Sequence, residues 1–210
     1  MSTPVAILGE SGSGKSTSMR NLDPKNTLLI QAIHKPLPFK AEGWARWDAE
    51  KKTGNIFVTD RTPDIITLIQ GTKRKIIVID DFQYVLANEL MRRWKETGYG
   101  KFSEIGYNGW NIITVASTLP DDVHLYFMAH TMIDDDGIIK IKTPGKLLNT
   151  YSVEGMFSMV LRCMVHDGEY VFSVKNSGSD TVKSPMGMFE GDSIPNDLAI
   201  VDKAITDYGW

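Results

Sequence analysis

A single cysteine, Cys163, stands among the 210 residues. One thiol cannot close a disulfide within the chain or assemble a cysteine-based zinc cluster. No stretch approaches the roughly 18 apolar residues that a membrane-spanning helix needs. The start, Met1-Ser2-Thr3-Pro4, has no basic segment leading into a long apolar one, so no secretory signal is expected. Repeats, low-complexity tracts and linker-like stretches are missing too. So is an excess of positive charge. A net charge of −3 argues against broad coating of nucleic acid, and leaves binding through a few basic loops of an oligomer open. These absences lead to the expectation of one domain over residues 1–210, in the cytoplasm and with no membrane partner.

What is present suits a packed core: 42% of residues are hydrophobic and 23% charged, close to globular averages. Residues 3–8 (TPVAIL) run into glycine and read as a buried parallel strand. A helix is expected from Lys15 to the stop at Asp23-Pro24. Residues 27–31 (TLLIQ), 56–59, 75–80 (KIIVID) and 123–130 (VHLYFMAH) read as further strands. Thr62-Pro63-Asp64 combines a cap, a proline and an early acid at a helix start that Gly71 would close. The spacing of Phe82, Val85, Leu86 and Leu90 predicts a helix ending near Gly98; Ile105, Ile112, Ile113 and Ala116 mark another, stopped by Pro120. Beyond residue 130 the period changes. Asp136-Gly137 and Asp167-Gly168 sit between alternating segments and predict hairpins in an extension over about 131–175, before a last helix over about 196–208. The class is α/β: a mostly parallel sheet flanked by helices, with antiparallel β-hairpins toward the C-terminus.

Gly9, Glu10, Ser11, Gly12, Ser13, Gly14, Lys15 and Ser16 fit the phosphate-loop pattern GxxxxGK[ST], with Thr17 following. Glycines let the backbone wrap phosphate oxygens with its N–H groups pointing inward, and the helix beyond adds the positive end of its dipole. Lys15 is expected to neutralise the outer phosphates, and the Ser16 hydroxyl to ligate Mg²⁺. The ion needs a carboxylate from a neighbouring strand, which Asp80 supplies at the end of Ile76-Ile77-Val78-Ile79. Asp81 follows where many ATPases place the acid that orients water; it is also a favoured helix cap. His130, at the end of the 123–130 strand, is positioned to sense the third phosphate.

With these residues in place the chain resembles the RecA-like ATPases, and in particular the short phage-encoded RecA-core proteins that accompany single-strand annealing. GESGSGKS at 9–16, KPLPF at 35–39, IVIDDFQY at 77–84 and NSGSDTVKSPMGMFE at 176–190 carry the likeness, which spans essentially the whole chain. The resemblance implies a RecA-type core, ATP and Mg²⁺ as ligands, and ring or filament assembly of a homo-oligomer. It also implies single-stranded DNA as a partner, an annealing or single-strand binding protein as another, and a place in the cytoplasm of a phage's bacterial host. Two departures stand out. RecA recombinases end the strand after the phosphate-loop helix near a catalytic glutamate, where Ile30-Gln31-Ala32-Ile33-His34 has no acid; and the segment before the loop is too short for RecA's N-terminal oligomerisation region.

In that family two loops face single-stranded DNA. The first corresponds to about 92–107, where Arg92, Arg93, Lys95 and Lys101 interleave with Trp94, Tyr99 and Phe102. That mixture suits phosphate tracking and base stacking; it equally suits a solvated helix end over core aromatics. The second, about 131–150, holds Lys140, Lys142 and Lys146 beside Asp134, Asp135 and Asp136, the triple acid reading as a hairpin tip. Lys175 and Lys183 are candidates to reach a neighbour's third phosphate, or plain solvated lysines. Rival readings are a nucleotide kinase, a helicase-loader or packaging ATPase, and a nucleotide-dependent switch with little turnover. A kinase wants an arginine-rich lid, and no such cluster follows residue 130.

Overall fold

The computed structural model describes residues 2–143 and 152–210. These residues hold ten strands: β1 Thr3–Leu8, β2 Thr27–Gln31, β3 Ile56–Val58, β4 Ile76–Asp80, β5 His124–Ala129, β6 Thr131–Ile133, β7 Ile139–Ile141, β8 Met159–His166, β9 Glu169–Ser173 and β10 Ser193–Pro195. Among the described residues four α-helices accompany them: α1 Thr62–Gly71, α2 Gln83–Arg92, α3 Gly100–Thr114 and α4 Leu198–Tyr208. Eight strands form one sheet in the order β10-β9-β8-β1-β5-β4-β2-β3. The six from β8 to β3 are parallel, while β9 and β10 are antiparallel additions at one edge.

Both faces of this sheet are covered, which is why its strands read as unbroken apolar runs. Alternation sends Ala6, Leu8, Ile77, Ile79, Leu125 and Phe127 to one face, against Ile65 and Ile69 of α1, Val85 and Leu86 of α2, and Ile112 of α3. Val5, Ile7, Val78, Tyr126, Met128, Leu161 and Phe172 face the other side, against Met19, Leu22 and the apolar stripe Leu198, Val201 and Ile205 of α4. Asp197 caps α4, its carboxylate accepting from the Ala199 N–H at 3.0 Å. Both Asp-Gly hairpins form. Asp167 and Gly168 take φ of 51° and 83°, the double left-handed turn that matches strand twist. At the other tip Asp134 accepts from the N–H groups of Asp136 and Ile138.

Four expectations need correction. The segment after Lys15 is a 3₁₀ helix over Ser16–Asn21 only, since Ser16, Thr17 and Ser18 are weak helix formers and Ser18 Oγ turns back to donate to the Lys15 carbonyl. Thr62 does not cap α1: Arg61 holds that position, and the Thr62 hydroxyl is buried inside the helix start. Helix α2 stops at Arg92, well before Gly98. The proposed first DNA loop, 92–107, is largely helical, because α3 already starts at Gly100. Lys146 of the second loop lies outside the described residues.

Candidate functional site

The carboxyl ends of the central strands meet in register, Leu8 beside Ala129 and Gln31 beside Asp80. Each strand therefore releases its next residues at one rim: Gly9 onward from β1, Asp81 from β4, His130 from β5, and Ala32 to Lys35 from β2. In open α/β sheets, ligands bind in the crevice at this rim.

From β1 the chain turns through Gly9–Ser16 before starting its short helix. Gly9 has no room for a side chain: a Cβ there would lie 2.4 Å from Ser13 Oγ and 2.9 Å from the Cys163 carbonyl. Gly12 and Gly14 take φ of 80° and 95°, in the left-handed region glycine favours. A Cβ on Gly14 would also meet the Tyr170 ring at 2.9 Å, so β9 packs directly on the loop. Among the described residues, the N–H groups of Gly12, Gly14 and Lys15 take no part in backbone pairing. The Lys15 ammonium closes over the loop, donating to the carbonyls of Gly9 (2.7 Å) and Glu10 (2.8 Å). Burial lowers its pKa, against the fields of Cys163, Asp81, Asp80 and Glu10. The Glu10 carboxylate accepts a short hydrogen bond from Thr131 Oγ1, tying the loop to the strand after His130.

Ser16 Oγ lies 3.1 and 3.0 Å from the two Asp80 oxygens. Asp80 is 4% exposed. Burial, then the adjacent Asp81, push its pKa up to about 6, against Ser16, Lys35 and Lys15. A buried carboxylate raised in this way, facing a hydroxyl, suits a hard cation that takes oxygen ligands. Among the described residues no group of three or more His, Cys, Asp or Glu side chains is arranged to hold a metal. An ion here would take Ser16 and Asp80 from the protein and its remaining oxygens from ligand and water.

Asp81 has φ of 61° and so leaves β4 in a left-handed conformation that turns its carboxylate into the rim. It is no helix cap: Phe82 holds that place for α2, without a side-chain bond. Its Oδ1 lies 3.3 Å from His130 Nε2, and its Oδ2 lies 2.5 Å from Lys35 Nζ. Burial and the field of Lys15 lower the His130 pKa despite Asp81. For Lys35, burial opposes the charge, yet Asp81 outweighs it and the pKa rises.

Two of these participants had no role assigned from sequence. Lys35 lies in the KPLPF segment, four residues past the end of β2, where the missing acid had drawn attention instead. Gln83 accepts from the His130 N–H at 3.2 Å, while its buried Nε2 has no partner. A signal existed only for Lys35: it is a cation at the strand end where an acid was sought.

Lys142 meets this rim through its backbone, the N–H donating to the His130 carbonyl at 2.8 Å, while the other candidates lie elsewhere. Arg92 pairs with Asp60 at 2.6 Å, and Arg93 is shared among Glu89, Glu96 and Glu104. Lys101 donates to the Glu96 carbonyl at 2.5 Å. Lys95 lies over the Trp94 ring, 5.4 Å from its centroid. Trp94, Tyr99, Tyr107 and Trp110 are exposed, the last two stacked. Lys140 pairs with Asp134 at 3.0 Å in the β6–β7 hairpin, and Lys142 is exposed beyond β7. Lys175 pairs with Asp192 at 3.0 Å, and the exposed Lys183 is bonded through its backbone to Val160. A cleft of about 1010 Å³ opens at the opposite ends of the strands, lined by Asp121, the Lys75–Asp122 pair and the His124–Asp202 pair, away from the glycine loop.

The sequence matches no protein-family model and no curated protein. What stands is the class: an α/β chain with a mostly parallel sheet, helices on both faces, and a glycine-rich loop aligned with two carboxylates, a histidine and two lysines. No helix among the described residues is long and apolar enough to cross a membrane.

Proposed function

We propose that the chain is a RecA-like ATPase: it binds a nucleoside triphosphate with Mg²⁺ in the Gly9–Thr17 loop and hydrolyses it, acting on single-stranded DNA in recombination or annealing. The observation that carries the nucleotide reading is the meeting of Ser16 with Asp80 beside a glycine loop whose Gly12, Gly14 and Lys15 N–H groups take no part in backbone pairing, with β5 lying between the strands that bear Ser16 and Asp80. The loop amides and Lys15 bind the phosphates. Mg²⁺ held by Ser16 and Asp80 supplies charge neutralisation of the outer phosphates. Asp81 orients the attacking water and accepts its proton, and His130, on the other carboxylate oxygen, reports the third phosphate to the β6–β7 hairpin through Thr131.

The DNA reading rests on the resemblance and on the exposed aromatics of the α2–α3 connection. With Arg92, Arg93 and Lys101 already engaged, stacking on Trp94 and Tyr99 contributes more than phosphate pairing does. A switch with little turnover is the second reading, and the Lys35–Asp81 ion pair favours it, since an acid bound to an ammonium is a poor base. Phosphate release from ATP, measured with and without single-stranded DNA and with Lys15→Ala as control, tests both. DNA-stimulated turnover that Lys15→Ala abolishes supports the ATPase; tight binding without turnover supports the switch; unchanged binding in Lys15→Ala overturns the nucleotide reading.

A further inference from the structure

We propose that Lys35 distinguishes a nucleoside triphosphate from a diphosphate: its ammonium rests on Asp81 when the third phosphate is absent, and moves onto that phosphate when it is present, freeing Asp81 to face water. This inference rests on the nucleotide reading above and assigns a residue outside the phosphate-loop motif.

The ion pair is lopsided in its freedom. The Asp81 side chain is 8% exposed, whereas that of Lys35 is 49% exposed. Asp81 is further fixed by its left-handed backbone and by His130 on its second oxygen. The Lys35 backbone is anchored, its carbonyl accepting from Gln31 Nε2 at 3.2 Å, with Pro36 stiffening the chain just beyond. What can move is the lysine side chain alone. Its alternative contact is weak, the Tyr84 ring with a centroid 5.6 Å away.

Location and charge give that movement a direction. Lys35 exerts its field on Asp80, Asp81 and His130, so it stands among the groups that would surround the outer end of a triphosphate. Without ligand the rim sets Lys15 and Lys35 against Asp80, Asp81 and Glu10. A third phosphate brings more negative charge than a single carboxylate and binds a lysine through several oxygens, so the ammonium gains by transferring. A diphosphate ends short of this point and leaves Lys35 on Asp81. The acid is therefore released only when there is a phosphate to cleave.

The test is affinity for a non-hydrolysable ATP analogue and for ADP, each with Mg²⁺, in the wild type, Lys35→Met and Lys35→Arg. In the wild type the analogue binds more tightly; Lys35→Met weakens the analogue at least about tenfold and ADP by less than about twofold, while Lys35→Arg keeps the preference. An unchanged preference in Lys35→Met, or equal weakening of both ligands, overturns the proposal while leaving the nucleotide site intact. A wild type that binds neither ligand overturns the nucleotide reading and this proposal together. Lys35 is half-exposed, so Lys35→Met is expected to fold, and the melting temperature of each variant verifies it.

Discussion

Ser16 and Asp80, 64 positions apart, face each other with the hydroxyl oxygen 3.1 and 3.0 Å from the two carboxylate oxygens. Neither belongs to the other's local structure. One begins a 3₁₀ turn after β1 and the other ends β4, and β5 lies between their strands. The hydroxyl spans that gap only because the loop folds back over the end of the sheet.

Asp80 is thus a buried acid beside a second acid, which costs stability in the ligand-free protein. Asp80→Asn keeps a partner for Ser16 and removes the buried charge. The expected outcome is a gain of about 1–3 kcal/mol in the unfolding free energy without ligand, together with loss of Mg²⁺-dependent nucleotide binding. Urea denaturation and titration with and without Mg²⁺ check it; lower stability would count against burial as the dominant cost.

Asp81→Asn separates orientation of water from binding. Asparagine accepts the left-handed conformation that φ of 61° demands, so the backbone is undisturbed. Turnover is expected to fall about a hundredfold while nucleotide binding is not weakened. Normal turnover would remove Asp81 from the chemistry.

At Gly14 two costs combine, φ of 95° and a Cβ placed 2.9 Å from the Tyr170 ring. Gly14→Ala is expected to destabilise by about 1 kcal/mol or more and to weaken nucleotide binding. Adding Tyr170→Ala relieves the contact but not the backbone, so only part of the loss returns. Complete recovery in the double variant would mean that the backbone conformation is not a constraint.

Cys163 yields a pH dependence. Burial pushes its thiol up to about 12 from an ordinary 9.0, against the field of Lys15 and the hydrogen bond from Asn196. Below pH 9 the folded and unfolded chains both keep the proton, so the contribution is intact. As pH rises from 9 toward 12, the unfolded chain ionises first and stability drains away. Between about pH 8 and pH 10.5 the wild type is expected to lose roughly 2 kcal/mol more than Cys163→Ala. Denaturation curves at the two pH values measure the difference, and parallel losses would show that the thiol stays protonated in neither state selectively.

Much of this was legible in advance, for local reasons. Five β-branched or acidic residues in a row at 76–80 can only be a buried strand ending in charge, and Asp-Gly between alternating segments can only be a tight hairpin. Helix limits were harder to read around Arg92. Arg93 is enclosed by Glu89 and Glu96, at helical spacing from it, and by Glu104. Only the last of these pairings depends on α2 packing against α3, and no local spacing predicts it.

The sequence by itself determined the glycine loop with Lys15 and Ser16, the acid pair at 80 and 81, and the α/β order of the elements, because each follows from chain-local sterics and periodicity. Tertiary structure alone decided that Ser16 meets Asp80, that Asp81 turns away from α2 into the rim, and that Lys35 and His130 take one oxygen each of its carboxylate. Those contacts join residues from four strand ends. Their distances are set by the order β1-β5-β4-β2 in the sheet, which no single stretch of chain encodes.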